Sequence, residues 1–162
     1  MFEVENQTSS LRTSPLRVWT VLADLQGFER WHPFIRLSGV ASEGAAIGYT
    51  FNSIFLRKAL TAPATITRFR KPAEIGWKTG MPGLYMFEET YQIDVITSGS
   101  EIRHATRCWG LVSILAARKM QGRILVGMEE ADRALERYLR PGSPAARPLS
   151  RGDRRVAKRK SH

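Results

Sequence analysis

The chain has 162 residues, 43% of them hydrophobic, and a formal net charge of +10. This is enough length and apolar content for one domain with its own core. It contains no uninterrupted apolar run of about 18 residues, so the sequence predicts no transmembrane helix. The N-terminus, MFEVENQTSS, has neither the basic start nor the apolar stretch of a signal peptide, and we expect a cytoplasmic location.

Cysteine and histidine content argues against metal chemistry. Cys108 is the single cysteine, so no intrachain disulfide can form. The three histidines, His32, His104 and His162, do not pair at the spacings typical of metal sites. We therefore predict no metal site and no cofactor.

The basic charge is concentrated at the C-terminal end. Residues 141–162 contain seven Lys/Arg, one Asp, three prolines and few apolar side chains. This composition predicts a domain at 1–140 and a disordered tail at 141–162. The tail offers weak, non-specific binding to an anionic membrane surface or to nucleic acid. The alternative is a merely solubilising extension.

The first third of the chain predicts one strand and two short helices. Apolar and polar residues alternate from Phe2, and the extended pattern continues to Leu11. Ser14 and Pro15 are a cap and a first helical residue for one helix. Asp24 is a cap for a second, which ends at Pro33.

The middle of the chain predicts an antiparallel meander. Six strands, separated by glycine- and proline-containing turns, are predicted at 34–40, 47–55, 61–70, 73–79, 85–96 and 101–109. A helix follows at 111–140, long enough at about 45 Å to cross the whole sheet. We place its acidic and basic residues from Glu129 to Arg137, Asp132 among them, on the face away from the apolar stripe. Gly122 and Gly127 indicate either a close approach of sheet or ligand, or simple tolerance.

Three motifs carry a resemblance to a known superfamily. SPLRVWTVLAD at 14–24, WHPFI at 31–35 and FRKPAEIGW at 69–77 are similar to the first helix, the second-strand entry and a hairpin of the START-like (SRPBCC) superfamily. That superfamily includes pollen-allergen-like proteins, lipid-transfer domains and bacterial polyketide cyclase/dehydrase-like proteins. The resemblance covers residues 1 to about 140.

The resemblance implies an α+β helix-grip fold. A curved antiparallel sheet of about seven strands, in the order β-α-α-β6-α, wraps around a long C-terminal helix and leaves a cavity between them. It implies no single reaction, since members include carriers, sensors and cyclases.

The turn at Ser98-Gly99 predicts the register of the last hairpin. Pairing residues whose numbers sum to 195 puts Tyr91 opposite His104 and Glu89 opposite Thr106. One face is then mostly apolar and the other carries compatible charges such as Glu88 and Arg107. The inward face gathers Phe87, Tyr91, Ile93, Ile102 and Cys108 with Glu89 and His104, and is extended by Ile75, Trp77 and Tyr49.

Glu89 is the strongest candidate for chemistry. A carboxylate that faces an apolar cavity has a raised pKa unless a cation compensates, and His104 is its natural partner. Together they are a candidate acid/base pair. The alternative is that the two residues only hydrogen-bond to each other, to Tyr91 or to Thr106.

Other side chains are candidates for binding a ligand or for packing. We predict ligand contacts for Phe51, Phe55, Trp77, Met81, Tyr85, Phe87, Tyr91, Trp109, Leu125 and Met128. Met81, in the loop Gly80-Met81-Pro82-Gly83, is either a flexible gate or part of a plain turn. We expect Cys108 to be a buried, inert thiol and His32 to have a surface or capping role. Trp19 and Trp31 should pack the short helices against the sheet.

Two functions remain open on the sequence. The first is binding, without chemistry, of a hydrophobic or aromatic molecule of lipid, polyketide or isoprenoid type. The second is a polyketide cyclase or dehydratase that uses Glu89 and His104. A homodimer is compatible with either.

Overall fold

The computed structural model describes residues 1–7, 11–53, 58–115, 117–140 and 142. Seven strands form one antiparallel sheet in the order β1-β7-β6-β5-β4-β3-β2. The strands are β1 (Phe2–Gln7), β2 (Ile35–Ser38), β3 (Ala46–Ser53), β4 (Lys58–Arg70), β5 (Glu74–Met81), β6 (Tyr85–Ile96) and β7 (Gly99–Trp109). The helices are α1 (Pro15–Ala23), a 3-10 helix (Leu25–Arg30), α2 (Leu111–Leu115) and α3 (Ala117–Leu139). This is the predicted helix-grip architecture, with a curved sheet and a long C-terminal helix.

The two short helices begin where their caps predict. The backbone N–H of Arg17 donates to Ser14 Oγ at the start of α1, and that of Gly27 donates to Asp24 Oδ1 at the start of the 3-10 helix. The second helix is 3-10 rather than α-helical. Its apolar residues Leu25, Phe28 and Trp31 recur every three positions, which is the period of a 3-10 helix.

Both short helices close one end of the core. Trp19 packs on Phe69 of β4 with ring centroids 5.0 Å apart. Trp31 packs on Phe28 at 4.7 Å, and the Phe28 ring lies 5.6 Å from that of Trp77 on β5. Both tryptophans are buried, which confirms their predicted packing role.

The C-terminal helix was predicted at 111–140, and the structure describes helix on both sides of residue 116, as α2 and α3. Its burial is uneven along its length. The stripe Met128, Ala131, Asp132, Leu135 and Leu139 is buried, whereas Leu125 and Val126, nearer the start of α3, are exposed.

The two α3 glycines are not sites of close approach. A Cβ added at Gly122 would meet no described atom within 4 Å, and one at Gly127 would just touch the Phe34 ring at 4.0 Å. Of the two interpretations of these glycines, tolerance is therefore the one that fits. The predicted tail lies outside the described residues, Gly142 apart. Among the described residues, no helix combines the length and apolar character needed to cross a membrane.

Candidate functional site

The register of the sheet defines its inner face. Residues paired directly across antiparallel strands point to the same side, and every pairing predicted for the last hairpin is observed. One continuous row runs across five strands of the sheet through Val4, Thr106, Glu89, Trp77 and Ile66. A second row runs through Asn6, His104, Tyr91 and Ile75. Polar and aromatic side chains therefore share the face that α3 covers.

A buried hydrogen-bonded chain crosses this face. His104 Nδ1 lies 2.8 Å from Asp132 Oδ1 on α3, and His104 Nε2 lies 3.0 Å from Glu89 Oε1. Asn6 Nδ2 donates to Asp132 Oδ2 at 2.7 Å, and the Tyr91 hydroxyl donates to Glu89 Oε1 at 3.2 Å. The Tyr91 ring stacks on the imidazole with centroids 4.0 Å apart. The chain therefore ties β1, β6, β7 and α3 together.

His104 is the cation of this hydrogen-bonded chain. Burial by itself lowers its pKa, but the hydrogen bonds to Asp132 and Glu89 and the attraction of both carboxylates outweigh burial and raise the pKa to about 9. At neutral pH both ring nitrogens carry protons and donate them to the two carboxylates. His104 then has no lone pair with which to act as a base, and it supplies the cation that a buried Glu89 requires.

The predicted position of Asp132 is wrong. The prediction puts it with the charged residues on the outer face of the helix, but it is 3% exposed and faces the sheet. The signal was present in the spacing, because Asp132 lies four residues after Met128 and three before Leu135, within the apolar stripe. Its charged neighbours do lie outside, where Glu129 pairs with Arg133 and Glu136 with Arg140. Asn6, which anchors Asp132, was also missed.

His32 is buried, so the predicted surface role is wrong and the capping role is the one observed. Its Nδ1 accepts hydrogen bonds from the backbone N–H groups of Phe34 and Ile35, at 3.2 and 3.0 Å. Burial lowers its pKa to about 4, with smaller effects from Glu89, which raises it, and from His104 and Arg36, which lower it. The ring is therefore neutral, with its proton on Nε2.

Several buried polar atoms of this face have no hydrogen-bond partner within the described part of the chain. Three of them belong to neighbours in one row: Thr106 Oγ1, Glu89 Oε2 and Trp77 Nε1. A fourth unpartnered atom, His32 Nε2, lies outside the sheet, between the 3-10 helix and β2. A buried polar group normally has a partner, so each such group needs an explanation. Together they present donors and an acceptor at the buried end of the face.

The same face becomes accessible toward its other end. Phe51 and Leu60, paired across β3 and β4, are 39% and 52% exposed, and Leu125 on α3 is 36% exposed. Tyr85 and Phe87 on β6 are half-buried, and Met81 at the end of β5 is 62% exposed. We call this set, Phe51, Leu60, Met81, Tyr85, Phe87 and Leu125, the open end. It is apolar, apart from the hydroxyl of Tyr85.

Two tyrosines and the cysteine of the inner face have raised pKa values. Tyr49 is buried, its ring lies 6.5 Å from that of Phe87, and burial together with Glu89 and Tyr85 raises its pKa well above the ordinary value. Burial, with a smaller contribution from Cys108, raises the pKa of Tyr85 to about 12. Burial raises the pKa of Cys108 to about 11, which makes its thiol a poor nucleophile.

Most of the predicted ligand-contact residues share the inner face, but not all. Trp77, Tyr91 and Met128 are buried there, and the open end holds five more. Trp109 is opposite Met86, so it belongs to the other face of the sheet. The alternation that turns Cys108 inward turns Trp109 outward, and its prediction as an inner contact was wrong. Phe55 lies outside the described residues.

Within the described ranges, no group of three or more His, Cys, Asp or Glu residues is arranged to hold a metal ion. In the hydrogen-bonded chain of Glu89, His104 and Asp132, an imidazolium lies between two carboxylates, with a hydrogen bond at each ring nitrogen.

The sequence matches no protein-family model and has no significant match among curated proteins. Solved structures do match. CV1439 from Chromobacterium violaceum has a TM-score of 0.69 at 13% identity, over 86% of this chain and 97% of that chain. Ara h 8.0201 has a TM-score of 0.60 at 11% identity, over 85% and 97%.

DynU16, described as a putative protein in the dynemicin biosynthetic locus, has a TM-score of 0.68 at 15% identity. The match covers 88% of this chain and 49% of DynU16, so this chain spans about half of that protein. At these identities the similarities show a shared fold, consistent with the helix-grip architecture.

Proposed function

We propose that this chain binds a mainly apolar small molecule between the inner face of the sheet and α3. The observation that carries the proposal is the gradient along this face, from accessible apolar side chains at the open end to unpartnered polar atoms at the buried end. Small-molecule sites are typically apolar surfaces with a few polar groups that fix orientation. An exposed cluster of large apolar residues on a concave face is also more informative than scattered ones.

The polar atoms favour a ligand that carries an oxygen function. Glu89 Oε2 is an acceptor for a hydroxyl group, and the N–H groups of Trp77 and His32 are donors for a carbonyl or ether oxygen. The apolar part of the ligand would then lie toward Phe87 and Phe51. An aromatic or isoprenoid alcohol or ketone fits this description.

Binding of 1-naphthol, measured by quenching of tryptophan fluorescence, tests the proposal. Ala62 is opposite Tyr49 on the inner face, whereas its neighbour Thr61 is exposed on the outer face. We expect Ala62→Phe to weaken binding at least tenfold because the added ring occupies the ligand's space. The matched variant Thr61→Phe should bind as the unaltered chain does. Equal affinity in both variants would contradict the proposal.

A second candidate function is acid–base catalysis of the polyketide cyclase or dehydratase type. It is favoured by Glu89 Oε2, a buried carboxylate oxygen without a protein partner in the described part of the chain, and by the biosynthetic context given for DynU16. Glu89 would take a proton from the carbon next to a carbonyl group. His104 would hold the carboxylate in place rather than serve as the base.

The variant Glu89→Gln separates the two functions. In an assay with a linear poly-β-ketone, catalysis by Glu89 requires a large loss of turnover in Glu89→Gln and none in Glu88→Gln. Glu88 is the matched control because it is adjacent in sequence and lies on the outer face beside Arg107. Unchanged turnover in Glu89→Gln would remove Glu89 from any catalytic role.

A further inference from the structure

A surface next to the open end combines exposed aliphatic side chains with positive charge. Helix α2 is attached to the β5–β6 turn, because the backbone N–H groups of Leu111 and Val112 donate to the carbonyls of Gly83 and Leu84 at 3.1 and 3.0 Å. This contact gathers six exposed apolar residues, which we call the apolar rim: Met81, Leu84, Leu111, Val112, Ile114 and Leu115.

The apolar rim exposes large aliphatic side chains to water. Ile114 is 64% exposed and Leu115 is 78% exposed, on a helix whose one buried residue is Ser113. Contiguous exposed aliphatic residues of this kind typically mark an interaction surface.

Basic residues follow the apolar rim along the chain. Arg118 and Lys119 lie in the first turn of α3 and are exposed. The sequence contains no acidic residue between Glu101 and Glu129. Segments that lie in the interface of an anionic bilayer typically combine aliphatic residues with flanking Lys and Arg.

We propose that α2 and the first turns of α3 dock on an anionic lipid bilayer, with the apolar rim at the level of the headgroups. A second copy of the chain is a poorer occupant, because a two-fold interface through this surface would bring Arg118 and Lys119 of both copies close together. Nucleic acid is a poorer occupant too, since most protein–DNA hydrogen bonds go to phosphate and sugar groups, and the aliphatic side chains of the apolar rim can make none of them.

The docked orientation brings the open end toward the bilayer. Met81 belongs both to the apolar rim and to the inner-facing residues of β5, and Leu125 lies two turns after Arg118. A lipid-dissolved ligand could then enter the inner face without crossing water. Docking itself does not depend on ligand binding, and Ala62→Phe should bind vesicles as the unaltered chain does.

Co-sedimentation of the full chain with vesicles tests the proposal. We expect binding to phosphatidylcholine/phosphatidylglycerol vesicles and much weaker binding to phosphatidylcholine alone. Replacing both Ile114 and Leu115 with Asp should lower partitioning about tenfold or more, because two exposed aliphatic side chains no longer enter the interface. The matched control is Val95→Asp, since Val95 is also 78% exposed but lies at the other end of β6.

Further variants and outcomes distinguish docking of the apolar rim from binding through the tail, a dimer or DNA. Arg118→Glu with Lys119→Glu should weaken binding to anionic vesicles about tenfold and leave the weak binding to neutral vesicles unchanged. All variants keep residues 141–162, so vesicle binding that survives the Ile114 and Leu115 substitutions intact would assign it to the tail and overturn the proposal. A rim-dependent dimer, or DNA binding without vesicle binding, would overturn it as well.

Discussion

His104 and His32 are both buried, yet their pKa values move in opposite directions. His104 lies between two carboxylates, and its pKa rises to about 9, whereas His32 accepts two backbone hydrogen bonds, and burial lowers its pKa to about 4. The two pKa values differ because of the hydrogen-bond partners and not because of burial, since both side chains are almost fully buried.

These opposite directions predict a stability maximum near pH 6.5. Below it, the unfolded chain takes up a proton at His32 that the folded chain refuses, so stability falls as pH drops from 6.5 toward 4. Above it, the folded chain keeps the His104 proton that the unfolded chain releases. The contribution of His104 is complete below pH 6.5 and is lost as pH rises through about 9. The alkaline loss amounts to at most about 3 kcal/mol.

Urea denaturation at a series of pH values measures this profile. The variant His104→Gln should lose the decline between pH 6.5 and 9 while keeping the decline on the acid side. A free energy of unfolding that stays flat or rises across the alkaline range in the unaltered chain would be inconsistent with a protonated His104.

Asp132 should control the protonation of His104. Replacing Asp132 with Asn removes one of the two carboxylates but keeps the side chain's shape, so the pKa of His104 should fall from about 9 toward its ordinary range. NMR titration of the imidazole signals measures this shift. Glu130→Gln is the control because it removes an exposed charge from the same helix. An unchanged His104 titration in Asp132→Asn would show that Asp132 is not its partner.

At the residue scale, the sequence predicted the pair of Glu89 and His104 but not Asp132, the third member of the hydrogen-bonded chain. Strand alternation and one turn were enough to put Glu89, Tyr91 and His104 together, because register follows from local rules. Asp132 lies 28 residues after His104, on α3. Helical spacing places it in the apolar stripe, but only the relative placement of helix and sheet brings it to His104.

At the element scale, α3 is held at one end. Its second half is buried against the sheet and contributes Asp132, Leu135 and Leu139, while its first half is largely exposed. Amphipathic spacing predicted which stripe faces inward, but the same stripe includes the accessible Leu125. Sequence spacing does not reveal where along its length a helix leaves the sheet.

Gly122 provides a test of this arrangement. Because a Cβ there meets no described atom and glycine disfavours a helix, Gly122→Ala should raise the free energy of unfolding by about 1 kcal/mol. The contrasting variant is Gly99→Ala. Gly99, the first residue of β7, has φ +146°, and an added Cβ would overlap the backbone of Leu11, so that variant should be destabilised. Urea denaturation of both variants measures the two changes, and a destabilised Gly122→Ala would contradict an open α3.

At the scale of the whole molecule, the fold follows from a simple pattern. Six turn-separated runs with period-two alternation predict a meander, and β1 joins its far edge beside β7. A shift of register in β4 between Ile66 and Arg68, a β-bulge, adds bend and twist to the strand and was not predictable from composition. The consequence is a concave face with one end closed by the short helices and one end open.

The proposed function requires that a ligand occupies that concave face. Two-dimensional NMR of the full chain titrated with 1-naphthol tests this most directly. Binding there should give saturable shifts of the Trp77 indole N–H and of the Tyr49 and Phe87 amides, with outer-face amides such as Glu88 much less affected. Shifts that never saturate, or that are confined to α2 while the Trp77 indole signal stays in place, would contradict it.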